Sequence, residues 1–243
     1  MGAVCLVVPC FNEAARVQLD PLVELVADER ISLVLVDDGS TDATAELLSE
    51  AAARSERISV LTMPRNVGKG EATRLGMLAA AESAPAWIGY LDADLATPPA
   101  ELLRLLDIAV AGDRLDVVIG ARVALLGRDI RRSPLRHYTG RVFATLASIV
   151  LAKPVYDTQC GAKLFRCGPP LLCALDAPFR SRWAFDVELL GRLAVAGVEP
   201  EAFWEEPLRR WHDIGGSRRS IRSSVRSTLD LAAVRRDLRA RSR

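Results

Sequence analysis

The sequence predicts a doubly wound α/β domain with a mostly parallel central sheet and helices on both faces. Three observations carry this. Apolar runs and helix-patterned segments alternate four times over residues 1–121, with short connections. The run at 4–9 is continuous, as in a strand buried on both faces, and the runs at 31–36, 58–62, 86–91 and 117–120 read as further strands. Polar clusters follow three of them: Pro9-Cys10-Phe11-Asn12-Glu13, Asp37-Asp38-Gly39-Ser40 and Asp92-Ala93-Asp94. Strand carboxyl ends are where such sheets bind ligands.

The first run, 4–9, leads into a helix expected over 14–28. After the second strand, Thr41 or Asp42 is placed to cap a helix running to about 54. The third strand, 58–62, is followed by a helix over 69–83 carrying Ala72, Leu75, Met77, Leu78 and Ala79. The fourth strand, 86–91, precedes Pro98-Pro99, which opens a helix to 111 in the usual place for proline. Strand five is 117–120. Beyond 121 the alternation stops: 122–141 is arginine-rich and reads as loop, and an apolar helix is expected over 138–152. A single domain over 1–243 is expected, with a ligand-binding half to about 121, a second half over 122–216 and a basic C-terminal helix over 217–243.

Composition narrows the class. Half of the 243 residues are apolar and 26% are charged, which describes a globular chain with a substantial core. The net charge of +1 carries none of the basic excess of a nucleic-acid binder, so no nucleic-acid partner is expected. The charge is uneven: residues 217–243 hold nine Arg against Asp230 and Asp237. The five cysteines form no Cys-x-x-Cys pair and read as reduced, packed thiols. No signal peptide and no run of about 18 apolar residues is evident. The chain is expected in the cytoplasm, either soluble or peripheral on a membrane face. In the tail, Ile221, Val225, Leu229 and Ala232 fall near helical spacing. Such a helix either docks on the domain or lies on anionic lipid.

The carboxylates suggest the chemistry. Asp92 and Asp94 are spaced i, i+2 after an apolar strand, which puts both on one face. Two adjacent anions need compensation, and a divalent Mg²⁺ or Mn²⁺ sharing a diphosphate supplies it; the plainer alternative is a polar strand end before a turn. Asp37 and Asp38 end the second strand, where a carboxylate can accept from a base or a ribose, Asp38 first, or cap the following helix. No Gly-x-Gly-x-x-Gly and no P-loop is present, so other groups must hold phosphate. Lys69, between two glycines and one of only three lysines, and Arg74, one turn further on, are candidates.

Taken in order, these blocks resemble the GT-A glycosyltransferases of family 2. The carriers are Val8-Pro9-Cys10-Phe11-Asn12-Glu13, Val36-Asp37-Asp38-Gly39-Ser40-Thr41-Asp42, Asn66-Val67-Gly68-Lys69-Gly70 and Asp92-Ala93-Asp94-Leu95. The block Asp157-Thr158-Gln159-Cys160-Gly161-Ala162-Lys163-Leu164-Phe165-Arg166 is similar to the dolichyl- or polyprenyl-phosphate sugar transferases, the glucosyl branch more than the mannosyl one. Two later blocks, beginning at Trp183 and Trp211, continue the resemblance to about residue 220.

The resemblance implies inverting transfer of a hexose from a nucleotide-diphosphate sugar, UDP-glucose before GDP-mannose, with Mg²⁺ or Mn²⁺. By position, Pro9, Phe11, Glu13 and Asp38 would surround base and ribose, Asp94 would bind the metal, and Asp92 would hold ribose or the metal shell. Phe11 stands where the family commonly has tyrosine, so a hydroxyl contact is lost there. Asp157 occupies the family's acidic position near the acceptor, as base or as orienting group; by residue type alone it could equally be a cap. A polyprenyl-phosphate acceptor is already ionised and needs cations more than a base. Arg122, Arg131, Arg132, Arg136, Arg209 and Arg210 are available, with Arg122 and Arg131 preferred. The alternatives are a soluble hydroxyl acceptor and a non-catalytic nucleotide-sugar binder. Cys160 has no nearby histidine and reads as a packed thiol; His212 either lines the donor phosphates or sits on the surface.

Overall fold

The structure is a computed structural model; it describes residues 3–213 and 221–242. Its centre is a seven-stranded sheet built from β1 (Val4–Cys10), β2 (Ile31–Asp37), β3 (Ile58–Thr62), β4 (Trp87–Leu91), β5 (Val117–Ala121), β7 (Ala162–Arg166) and β8 (Phe203–Pro207). The strand order is β3-β2-β1-β4-β7-β5-β8. Every pairing is parallel except those of β7, which runs antiparallel to β4 and β5. A two-stranded parallel ribbon joins β6 (Asp129–Arg131) to β9 (Arg210–His212).

The strands form because alternate side chains feed two separate cores. On β1, Val4, Leu6 and Val8 pack with Leu22 and Leu25 of α1 (Leu19–Leu25), Leu48 of α2 (Thr44–Ala53) and Leu105 of α4 (Pro99–Ala111). Cys5 and Val7 face the other way, onto Met77 of α3 (Lys69–Ala81), Leu171 of α6 (Pro169–Ala174) and Phe185 and Leu189 of α7 (Phe185–Val195). The expected helices on both faces are present.

A third cluster joins α5 (Pro134–Leu151), α7 and α8 (Ile221–Arg241) through Phe143, Ala147, Val187, Leu231, Val234 and Leu238. Gly191 makes this approach feasible, since a Cβ there would lie 2.3 Å from Leu238 Cδ1. The two acids of the basic tail serve as attachment points: Ser181 Oγ donates to Asp230 Oδ2 at 2.5 Å and Arg180 Nε to Asp237 Oδ1 at 3.2 Å. The described half of α8 therefore docks on the domain. Its contact stripe is Leu231, Val234 and Leu238, whereas Ala232 is exposed. The side chains of Ile221, Val225 and Leu229 lie outside the described residues. Among the described residues no helix is long and apolar enough to cross a membrane.

Several elements differ from expectation. The helix expected over 14–28 is confined to Leu19–Leu25. The chain before it curls, with the Arg16 and Val17 amides both donating to Glu13 O at 2.8 Å. It is also sewn to the next loop through Glu13 N–H to Thr44 Oγ1 (2.8 Å) and Ala14 N–H to Asp42 Oδ2 (3.3 Å). Helix α5 starts at Pro134, inside the arginine-rich stretch read as loop, with proline again in a first turn. Strand β7 and its reversal were not expected. That reversal puts the amino end of β7 at the carboxyl edge of the parallel strands, with Leu91 paired to Ala162.

Candidate active site

Four strand tips and the entry to β7 meet at that edge. At β1 and β2 the acids turn inward. Asp37 and Asp38 are each 2% exposed. Asp37 Oδ1 accepts the Ser40 N–H at 3.0 Å and closes the turn after β2. Gly39 in that turn has φ +67°, and a Cβ would collide with the Arg65 carbonyl carbon at 2.4 Å. Asp38 accepts the Val67 N–H (2.6 Å), the Gly68 N–H (2.9 Å) and Asn66 Nδ2 (2.8 Å). Burial raises its pKa, while those amides and Arg182 oppose the rise. Base or ribose contact was expected from at least one of this pair, Asp38 first; in the structure the Asp38 carboxylate also shapes the 66–68 loop. The helix cap expected at Thr41 or Asp42 falls instead at Ala43, which has no side-chain cap bond; Asp42 accepts the Thr44 N–H at 3.1 Å just ahead of the helix.

Pro9, Phe11 and Glu13 are half-buried along the β1 loop. Asn12, at φ +51°, accepts the Thr41 N–H at 2.7 Å, and Glu13 pairs with Arg16. The loops after β1 and β2 thus form one stitched wall.

At the tip of β4, Asp92 forms an ion pair with Lys69 from the start of α3. Asp94 lies two residues on, its Oδ1 accepting the Ala96 N–H at 3.1 Å. The intervening turn is held by Leu95 N–H to Asp92 O (3.0 Å), with Leu95 at φ +51°. Burial opposes ionisation of Asp92, but Lys69, then Lys163 and Arg122, bring its pKa below the ordinary value. Burial and the Asp92 charge raise that of Asp94. The pair is electrostatically unequal: one carboxylate has its cation, and the other lacks sufficient compensation.

Gly161, at the entry to β7, closes on this site. A Cβ there would sit 2.2 Å from Asp92 Oδ2. The 157–161 loop therefore rests directly on the β4 carboxylate. Beneath it, Lys163 is 1% exposed; its Nζ donates to Cys160 O and to Asp186 Oδ1, the latter at 2.7 Å. Tyr90 completes the set by donating to Asp186. Lys163 and Asp186 escaped the sequence reading, although the scarcity of lysine is a usable signal for Lys163.

Asp157 sits 7% exposed beside the tip of β5. Arg122 holds it with two bonds, Nε to Oδ2 at 2.6 Å and Nη2 to Oδ1 at 2.7 Å, and the Arg122 amide adds a third at 3.1 Å. Burial alone would raise the pKa of Asp157; Arg122, with Arg132 further off, drives it well below the carboxylate range. Glu205 on β8 accepts the amides of Tyr156 (2.8 Å) and Asp157 (2.5 Å) and fixes the loop from behind. Trp211 faces the Arg122 guanidinium at 5.2 Å.

A recess opens beside this pair, lined by Arg122, Arg132, His137, Arg141, Tyr156 and Asp157 among others. Arg141 stacks 3.7 Å above the Tyr156 ring and bonds Tyr156 O at 3.0 Å. Arg131, preferred on sequence grounds, does not line it: its side chain is 74% exposed and paired with Asp129 at 2.9 Å. Consecutive residues of an extended segment alternate sides, and Arg132 takes the inward one. Arg209 and Arg210 are exposed, and the Arg136 side chain lies outside the described residues. Arg74 is also not at the cleft. It is buried, bonding Glu71 and, at 2.8 Å, Leu175 O, because its helix turns that face toward α6. His212 pairs with Asp129 at 2.7 Å on the ribbon. Cys160 is buried with its thiol pushed up to about 11, an inert packed group.

Sheet order, switch point between β1 and β4, and acidic strand tips define the GT-A class of glycosyltransferases. The chain belongs to glycosyl transferase family 2, whose pattern matches residues 5–169. It is similar to a dolichyl-phosphate beta-glucosyltransferase of Trichomonas vaginalis, 32% identical over 242 residues, covering 94% of this chain and 69% of that protein. A human protein of the same name is 31% identical over 240 residues, covering 86% and 72%. Among solved structures, glucosyl-3-phosphoglycerate synthase from Mycobacterium tuberculosis, in complex with Mn²⁺, UDP and glucosyl-3-phosphoglycerate, superposes with a TM-score of 0.72 at 17% identity. That match covers 98% of this chain and 80% of the other, and it shows the fold.

Proposed function

We propose that this glycosyltransferase moves glucose from UDP-glucose to a polyprenyl or dolichyl phosphate with inversion at the anomeric carbon. One observation carries the reading: the acidic group on the acceptor side, Asp157, is locked in a two-pronged pair with Arg122. A carboxylate so neutralised is a poor general base, so the acceptor that fits is one already ionised. The adjoining recess, with Arg122, Arg132, Arg141 and His137, suits a phosphate monoester. In the reaction a phosphate oxygen forms a bond to the anomeric carbon as the bond to the donor β-phosphate breaks, and no proton has to be removed. Arg122 and Arg132 orient and screen the acceptor, while Asp157 keeps Arg122 aimed.

On the donor side, the stitched loops after β1 and β2, with Pro9 and Phe11, would flank the nucleoside. Lys69, paired with Asp92 at the tip of β4, would offer its ammonium to the diphosphate. Asp92 and Asp94 are hard oxygen donors on one turn, a set that fits Mg²⁺ or Mn²⁺. No group of three His, Cys, Asp or Glu poised to hold a metal occurs among the described residues, so diphosphate and water oxygens would complete the shell. When bound, the metal would neutralise charge developing on the departing diphosphate. Free cysteines throughout the chain suit the cytoplasmic face of a membrane. The dolichyl-phosphate beta-glucosyltransferase relatives support both donor sugar and acceptor.

The test is incubation with labelled UDP-glucose or GDP-mannose, Mg²⁺ or Mn²⁺, and a polyprenyl phosphate. Labelled β-linked lipid from UDP-glucose is the expected product. Transfer only to soluble sugars or alcohols, or no transfer from any donor, refutes it.

A further inference from the structure

We propose that Lys163, buried beneath the cleft, is a positioning residue for the transfer: its ammonium holds the inner end of the 157–161 loop down on Asp92 and so keeps the acceptor side in register with the donor side. The proposal deepens, and rests on, the reading of a nucleotide-sugar donor at Asp92 and an acceptor beside Asp157 and Arg122.

Lys163 lies in the middle of the sheet. Strand β7 runs between β4 and β5, and Lys163 stands opposite Tyr90 on one and Ile119 on the other. Both neighbours belong to the core that α7 covers, together with Phe165 and Phe185. The lysine is 1% exposed, too enclosed to touch a ligand in the cleft. An ammonium costs far more to bury than a thioether of similar length. Apolar side chains in place of a buried ion pair often leave a protein no less stable. Packing alone therefore gives no reason for a charge at this position.

The partners of Lys163 supply one. An ammonium has three protons to place. Nζ donates to the Cys160 carbonyl and, at 2.7 Å, to Asp186 Oδ1, and it faces the Tyr90 ring at 5.1 Å. Asp186 is itself fixed. It lies in the first turn of α7, where the helix dipole favours an anion, and it accepts the Tyr90 hydroxyl. The ammonium is thus set by β7, α7 and β4, and it passes that order to a loop through the Cys160 carbonyl.

That loop is held from two sides. Glu205 fixes its outer end through the amides of Tyr156 and Asp157. The inner end carries Gly161 directly over Asp92, so close that no Cβ fits between them. Lys163 ties this end. Its charge also reaches Asp92 and, after that of Lys69, favours the ionised carboxylate. One enclosed cation therefore acts on both halves of the site without meeting either substrate.

Lys163→Met alone would strand the Asp186 charge. The test is the double variant Lys163→Met, Asp186→Asn in the full chain, which removes both charges and leaves an amide oxygen for Tyr90. Iodoacetamide labelling under native conditions, read by mass spectrometry, should run about tenfold faster at Cys160 than in wild type, with Cys5 and Cys10 as protected as before. Transfer of labelled glucose from UDP-glucose to polyprenyl phosphate should lose about 10²-fold in kcat/KM, most of it in kcat, because both substrates still bind but are misaligned. A pair that serves only the core behaves otherwise: all three thiols become reactive together, or nothing changes once both charges are gone. Either result overturns the proposal, as does a loss confined to KM. Should the variant fail to fold, Lys163→Met, Asp186→Leu is measured in its place; failure of both assigns the pair to the core and overturns the proposal. If the wild type transfers to no acceptor while Cys160 alone is released in the variant, the proposed substrates fall and Lys163 stands as the anchor of the loop.

Discussion

Replacing Gly161 by alanine tests whether the acceptor-side loop positions the donor-side carboxylate. The added Cβ would lie 2.2 Å from Asp92 Oδ2, 2.4 Å from its Cγ and 2.8 Å from Oδ1. Ordinary contact begins near 3.4 Å, so the carboxylate or the loop must yield by about 1 Å. Neither moves without loss. Asp92 is paired with Lys69, and the loop is anchored through Cys160 O to the buried Lys163. A displacement of that size in a reacting constellation costs on the order of 10²-fold, or about 2.7 kcal/mol in the transition state. Overpacking stability losses run about 1–3 kcal/mol, with the lower end expected because Asp92 is half-exposed, and the melting point should fall by only a few degrees. The assay is steady-state kcat/KM for labelled UDP-glucose with polyprenyl phosphate, beside a thermal melt. Gly168→Ala is the control, since its Cβ would meet nothing nearer than 3.9 Å. A Gly161→Ala enzyme with more than a third of wild-type kcat/KM, or one whose lost activity merely follows unfolding, refutes the argument.

Asp157→Asn leaves the buried Arg122 without its partner, which should cost about 3–5 kcal/mol in denaturant unfolding. The folded-state pKa of Asp157 lies below its unfolded value of about 3.9, so this contribution is complete above that pH and is lost as pH falls further; the gap to wild type should close in acid. In the same variant the pH–rate profile should lose no limb between pH 5 and 8, whereas loss of an acidic limb there would restore Asp157 as a base. Chelation with EDTA should abolish transfer, with recovery on adding Mn²⁺ or Mg²⁺, and Asp94→Asn should stay at least about 10²-fold impaired at saturating metal; activity unaffected by EDTA refutes the metal reading. Under native conditions iodoacetamide should label the exposed Cys173 and, more slowly, Cys167, while Cys5, Cys10 and Cys160 react only after unfolding. Mass spectrometry reads this directly, and early labelling of Cys160 would mean that its loop opens.

Much of the architecture is legible locally. Apolar runs marked the five parallel strands of the first half to within a residue or two; burial on both faces accounts for β1, β4 and β5, whereas β3 is an edge strand with Ser59 and Thr62 exposed. The Asp37, Asp38, Asp92 and Asp94 clusters fall at strand ends because a parallel sheet collects such ends along one edge. Roles were less legible than positions. Asp38 bonds amides of the 66–68 loop, Arg74 the carbonyl of Leu175, and Arg131 the carboxylate of Asp129. In each case the deciding partner lies elsewhere in the chain or on another face, and hydrophobic periodicity carries no information about it.

The sequence by itself determined the strand–helix alternation, the acidic strand tips and, through its ordered blocks, family 2. Tertiary structure alone decided which charges meet. The reversal of β7 brings Gly161 against Asp92, and the folding back of 122–132 over α5 brings Arg122, Arg132 and Arg141 around one recess. Burial and periodicity are properties of neighbouring residues and can be read along a chain. Electrostatic pairing depends on separations of a few ångströms between distant segments, and only the folded molecule sets those distances.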